Sequence, residues 1–188
     1  MSWEGVRCCA TWCLAAWAAA TISAAACAPV LPRPYLEAKA AGHRAYSSGR
    51  YDEAATHFRQ AATKAERARD RDEALYLEAA SYQRSGRVRD AKLAYQALLA
   101  ASPNGDRAAR SAYELAQFEL DKGDESKGWE LIRTFPHRFP RSGLARRALL
   151  RYLTHLDEVS GKQAALDYAQ HNYAWFDAHG LGETAMYQ

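Results

Sequence analysis

"GHRAYSSGRYDEAATHFRQAA", residues 42–62, decides the fold. After Gly49, the residues Ala54, Phe58, Ala61 and Ala62 fall at the three- and four-residue spacing of a single helix face. Gly49 itself can adopt the left-handed conformation that ends a helix, at no steric cost. The stretch therefore predicts one helix ending before the glycine and a second that turns back to pack against it. The small Ala54 lets the two helices approach closely, and Phe58, one turn later, fills the space behind it.

The same arrangement recurs along the chain. Gly49, Gly86 and Gly123 are 37 residues apart, and the fourth register falls on Ser160 beside Gly161. Ala54, Ala91, Gly128 and Ala165 share one register, and Phe58, Tyr95 and Ile132 share another. Pro103 and Pro140 are also one period apart and close their units, because proline cannot continue a helix. A period of this size predicts stacked supersecondary units. The second helix carries Ala91, Tyr95, Leu98 and Leu99 in the second unit, and Gly128, Ile132 and Phe135 in the third. The body is rich in Ala, Leu, Arg, Gln and Glu, which lose least on entering a helix, and no stretch alternates with a period of two. The expected class is all-α.

These residues resemble the tetratricopeptide repeat. Gly42, the Gly49-x-Tyr51 turn, Ala54, Phe58 and Ala61 match the family's hallmark positions, and the second unit keeps Ala79, Tyr82, Gly86, Ala91, Tyr95 and Pro103. The third keeps Ala116, Gly123 and Pro140, and the fourth is degenerate. The resemblance covers residues 35–178 and implies a right-handed α-solenoid of about four helix-turn-helix repeats. The period is three residues longer than the family's usual one. The junction "FPHRFPRSGLARRALLRY", residues 135–152, is similar to those of bacterial envelope lipoproteins built from such repeats, found in β-barrel assembly, pilus and division complexes.

The N-terminus differs in kind. Residues 8–26 carry no charge and follow a short head containing Arg7, the layout of a secretory signal. The stretch is about long enough to span a bilayer, but it ends in small residues and prolines rather than in Leu or Ile. Cys8, Cys9 and Cys13 lie inside it, so Cys27 is the one cysteine of the expected mature chain. Ala25, Ala26 and Cys27 resemble the lipobox of bacterial lipoproteins, which implies a diacylglyceryl thioether on Cys27; Ala24 stands where Leu is usual. An ordinary signal peptidase, reading Ala24 and Ala26, would cut the same bond and leave a free thiol. Pro29, Pro32 and Pro34 predict an extended spacer after the cysteine. The expected organisation is thus a signal peptide over 1–26, a lipidated cysteine and tether over 27–34, the repeat domain over 35–178 and a tail over 179–188. Ala28 is not the Asp that holds some lipoproteins at the inner membrane, so the preferred location is the periplasmic face of the outer membrane.

The sequence offers no catalytic constellation. Its six histidines are scattered, with no metal-ligand spacing, no Ser/His/Asp grouping, no glycine-rich phosphate loop and no CxxC. The expectation is a binding protein without cofactor or metal. The repeat resemblance implies a groove lined by the first helix of each pair. Its positions fall on Lys39, His43 and Tyr46, then Glu73, Tyr76, Gln83 and Arg84, then Arg110, Tyr113 and Gln117, then Arg147 and Leu150. Tyrosines beside arginines suit an extended peptide, although a solvated face has the same composition.

Two further surfaces stand out. No acidic residue lies between Glu130 and Asp157, while Arg133, Arg138, Arg141, Arg146, Arg147 and Arg151 do; this is either a solvated charged face, the commoner case, or a basic patch for an anionic partner, a protein surface, headgroup or cell-wall polymer. In the last helix Leu166, Ala169, Tyr173 and Phe176 form an expected inward stripe, and Tyr168, His171, Trp175 and His179 an aromatic face that is either partly buried by the tail or a docking surface. The formal net charge of +3 and the export signal argue against nucleic acid. The expected function is a non-enzymatic adaptor in a bacterial envelope complex, with envelope proteins or peptides as partners. The alternatives are a cell-wall or anionic-ligand binding module and an accessory to carbohydrate or peptide processing, for which no nucleophile is in sight.

Overall fold

The structure, a computed structural model, describes residues 31–186. Cys27 and Pro29, with the signal and lipid-attachment readings that depend on them, lie outside the described residues. The chain divides into two units, Met1–Leu31 and Pro32–Gln188, and the second is all-helical over its described residues.

Eight helices form four consecutive pairs. They are α1 (Arg33–Ser47) with α2 (Tyr51–Lys64), α3 (Ala68–Arg84) with α4 (Val88–Ala101), α5 (Ala108–Lys122) with α6 (Glu125–Arg138), and α7 (Gly143–Ser160) with α8 (Lys162–Ala178). A short α9 (Gly182–Met186) follows. Each helix packs on the next, and α7 also touches α5. The second helices start at Tyr51, Val88, Glu125 and Lys162, each 37 residues after the last, so the sequence period is also the structural one.

The period works through two buried rows. Gly42, Ala79 and Ala116 occupy one register of the first helices, and Ala54, Ala91, Gly128 and Ala165 the matching register of the second; all are buried. Phe58, Tyr95 and Ile132, all fully buried, press against the rows. The fit is tight at Gly42, where an added Cβ would lie 2.6–2.9 Å from three atoms of the Phe58 ring. It is as tight at Gly128, where a Cβ would meet Leu120 of the partner helix at 2.7 Å.

The turns repeat as well. Gly49 and Gly86 have φ of +74° and +78°. The amides after them, Arg50 and Arg87, donate back to the carbonyls of Ala45 and Tyr82 at 2.9 and 3.0 Å. Gly123 departs from the expected left-handed cap, with φ at −122°. Its neighbour Asp124 donates instead to the Glu119 carboxylate at 3.3 Å, which takes over the role of the main-chain carbonyl. An added Cβ at Gly123 would collide with that same carboxylate, so glycine is required there for space.

The ends of the unit differ from expectation. Pro34, read as part of the tether, sits in the first turn of α1, where a missing N–H leaves no hydrogen bond unmade; Pro32 is the residue just before the helix. The segment from 179, read as a tail, closes the core. Gly180 turns the chain, Leu181 and Ala185 are buried with Phe176, Ala169 and Leu153, and α9 rests on both α7 and α8. Pro136, inside the last turn of α6, is buried as well.

Gly42→Ala is expected to cost about 1–3 kcal/mol by driving a methyl into a ring with no room to retreat. Chemical denaturation should show less than additive loss in the double variant with Phe58→Leu, because the two changes share one contact. A second expectation concerns Glu119. This buried carboxylate receives Lys92 at 2.6 Å and Lys127 at 3.2 Å. Hydrogen bonding from Lys92 above all holds its carboxyl below the ordinary value of 4.5. A carboxylate with a lowered folded pKa stabilises the fold above its unfolded pKa, and that contribution disappears as pH falls through the folded value. Glu119→Gln should therefore lose about 1–2 kcal/mol at neutral pH. Urea unfolding across pH should show the gap closing as pH falls from the ordinary value of 4.5 through the lower folded value; a constant gap would assign the loss to packing rather than charge.

Candidate functional site

The odd-numbered helices α1, α3, α5 and α7 carry the groove residues expected from sequence, and the structure joins them in a chain of contacts from one helix to the next. Tyr46 on α1 accepts from Arg84 Nε on α3 at 3.3 Å and meets Tyr51 edge-on. Glu73 on α3 pairs with Arg107, whose guanidinium also lies 5.3 Å from the Tyr76 ring. Arg110 on α5 lies 5.8 Å from the same ring. Gln83 on α3 donates to Glu114 on α5 at 3.2 Å and accepts from the buried Tyr95 hydroxyl at 3.1 Å. Arg147 on α7 lies 5.8 Å from the ring of Tyr113 on α5. Tyr113 is buried edge-on against Phe135, Gln117 is half-buried, and Leu150 is exposed at 38%.

Burial and charge tune this face. Burial pushes the Tyr76 hydroxyl up, and Tyr95 beneath it further. His43, against the edge of Phe58, is held below the ordinary histidine range by burial, with Lys39 reinforcing the shift and Glu73 opposing it. At the α1 end, Lys39, Arg69, Asp70, Glu73, Asp106 and Arg107 line a depression of about 380 Å³. Its charges are largely matched, Arg107 with Glu73 and Arg69 with Asp106 at 3.5 Å.

Arg107 is the groove residue that sequence reasoning missed. It stands immediately before α5, outside the helical positions carried over from the repeat, while its side chain reaches back over α3. The register signal was nevertheless present in Glu73, which would otherwise face the groove without a counter-charge.

Within the basic patch, Arg133 is ion-paired and the other arginines contact different neighbours or solvent. Arg133 is doubly bonded to Glu130 at 2.6 and 2.8 Å, because the acidic residue bordering the gap is one helical turn away. Arg138 lies over Phe139, Arg147 over Tyr113 and Arg151 over Trp129, so the side chains point to different neighbours. Arg141 and Arg146 are exposed.

The C-terminal aromatic face is partly covered. Tyr168 packs edge-on against Tyr152 of α7 at 5.0 Å, and Trp175 sits between His137 of α6 at 4.1 Å and His179 at 4.0 Å. Burial pushes the Tyr168 hydroxyl up to about 12. Tyr168 and Trp175 are thus half-buried, covered in part by earlier helices and in part by the C-terminal segment, while His179 stays exposed. His171 stays exposed. Tyr173, expected inside, is exposed at 39%, and Leu166 is half-buried.

Among the described residues no group of three or more His, Cys, Asp or Glu could hold a metal ion, and no helix is long and apolar enough to cross a membrane. No protein-family model matches the chain, and no characterised protein matches it.

The closed C-terminal end gives a direct check. Leu181→Ala, removing a side chain that is 4% exposed, should cost about 2–4 kcal/mol in denaturant unfolding. Met186→Ala, at 65% exposure five residues on, should change stability by less than about 0.5 kcal/mol.

Proposed function

We propose that this protein is a tetratricopeptide-repeat-like α-solenoid that serves as a non-enzymatic adaptor in a bacterial envelope complex, held to the outer membrane by lipid on Cys27. The observation that carries the reading is the run of Tyr and Arg contacts linking α1, α3, α5 and α7. In a stack of helix pairs such a face is an extended groove suited to a peptide or a partner's surface segment. The regular 37-residue spacing of α2, α4, α6 and α8 supports the solenoid. The small residues before Cys27 support the anchor, since multiple acyl chains at about 0.8 kcal/mol per buried methylene hold a protein stably to a bilayer.

A cell-wall or anionic-ligand module is the second reading. It draws on Arg138, Arg141 and Arg146, but loses Arg133 to Glu130.

Intact mass and detergent partitioning of the native protein beside Cys27→Ser test the anchor. The wild type should carry a lipid-sized increment and partition with detergent, and the variant should be unmodified and aqueous. Crosslinking in cells should then yield a stoichiometric protein partner. Retention on purified cell-wall polymer without any protein partner would replace the adaptor with the second reading.

A further inference from the structure

We propose that the groove of the adaptor reading binds an extended acidic segment of its partner, with one carboxylate on Arg110 and a second on Arg147. The two arginines are the same site built twice. Arg110 covers Tyr76 and Arg147 covers Tyr113, each at 5.8 Å from the ring centroid. Tyr76 and Tyr113 are one 37-residue period apart, and so are Arg110 and Arg147. The repeat therefore delivers two equivalent guanidinium-on-phenol steps to neighbouring helices of one face.

Their chemistry selects the ligand. Arg107 and Arg133 are committed to Glu73 and Glu130, whereas Arg110 and Arg147 have no carboxylate at ion-pair distance among the described residues. A guanidinium laid on an aromatic face is held in place; Arg110 also hydrogen-bonds the Tyr76 hydroxyl, and the remaining N–H groups are open to a carboxylate. The two steps differ in one respect: the Tyr113 hydroxyl is buried with no hydrogen-bond partner among the described residues. Across the face, Lys39, Arg69, Arg84, Arg107, Arg110 and Arg147 outnumber Asp70, Glu73, Asp106 and Glu114, so the surplus is positive.

Geometry sets the spacing. Helices α5 and α7 pack on each other, and packed helices lie about 8–10 Å apart. An extended chain advances about 3.3 Å per residue, so the matching carboxylates stand about three residues apart. A headgroup or polymer would instead want a broad cationic surface, and the arginines of residues 133–151 are dispersed over separate neighbours.

The experiment pans the full chain in detergent against a displayed library of random twelve-residue peptides, beside the Arg110→Gln/Arg147→Gln double variant. The best wild-type peptide is then measured by fluorescence anisotropy, with its acidic residues intact and replaced by Asn or Gln. Wild-type selection should enrich two acidic residues about three apart, and the amide peptide should bind at least tenfold more weakly. Each single arginine variant should lose about tenfold, and Arg110→Lys and Arg147→Lys should recover part of that loss. Both arginines lie on the surface, so unchanged thermal unfolding verifies that the variants remain folded. Selected peptides without acidic enrichment, still competing with the crosslinked partner, would overturn the acidic specificity while the groove reading stands. Acidic peptides that bind wild type and double variant alike would place the site elsewhere and overturn the proposal. Recovery of no peptide, with a partner crosslinked outside α1, α3, α5 and α7, would overturn the groove reading together with it. Arginine-dependent binding of phosphatidylglycerol vesicles in place of peptide would overturn it in favour of a lipid surface.

Discussion

The structure depends on the close approach of two helices across a small residue. At Gly42 the backbone of α1 comes so near the Phe58 ring that a single methyl has no space. Every 37 residues a similar device returns with different parts: Ala79 against Tyr95 and Ala116 against Ile132, all fully buried. Interiors at this packing density do not absorb an added methylene without strain. The pairing angle and depth of each unit are thus fixed locally, and the order of the first helices follows from the order of the pairs. The placement of Arg110 on Tyr76 and of Arg147 on Tyr113 is a consequence of that order.

Within this scheme the third pair solves one problem differently. The turn after α1 and the turn after α3 use a glycine at positive φ and a main-chain carbonyl as acceptor. The turn after α5 uses the Glu119 carboxylate, which is neutralised by Lys92 from α4 and Lys127 from α6. A buried charge is tolerable only when paired and hydrogen-bonded. Glu119 meets both conditions and in doing so ties three helices together, something a main-chain carbonyl in that turn cannot do. The cost is sensitivity to protonation, which the other turns do not have.

The sequence carried the helices and their pairing because both follow from local rules: glycine after the first helix, a small residue then an aromatic one in the second, proline beyond it. The groove residues followed by register, since Tyr76 and Tyr113 hold equivalent places. What the sequence did not carry depends on three-dimensional neighbours. Arg133 was read as free because the gap in acidic residues was counted from Glu130 onward, and Glu130 is its partner. Tyr168 and Trp175 were read as covered by the tail or by nothing, because only later residues were considered as cover, whereas Tyr152 and His137 come from earlier helices. Arg107 lies outside the helix whose positions were being counted, and only its reach over Tyr76 reveals its place.

The repeat also gives the groove a direction. The positions that hold Tyr76 and Arg110, then Tyr113 and Arg147, hold Lys39 and Glu73 one period earlier and Leu150 and Thr184 one period later. The first of these flanking sites is occupied by two opposite charges, drawn into the mixed cluster with Arg107 and Asp106. In the last, Leu150 is exposed and Thr184 of α9 is buried. A ligand bound as proposed would meet matched charges, then two guanidinium steps, then an exposed leucine. An extended chain has distinct N- and C-terminal directions, and a face whose ends differ in polarity favours one over the other. A groove of identical units would allow a partner to slide by one repeat; unlike ends assign each guanidinium to one position of the partner. In the proposed groove reading, specificity would thus come from the departures from the repeat, with the repeat itself supplying the frame that places them.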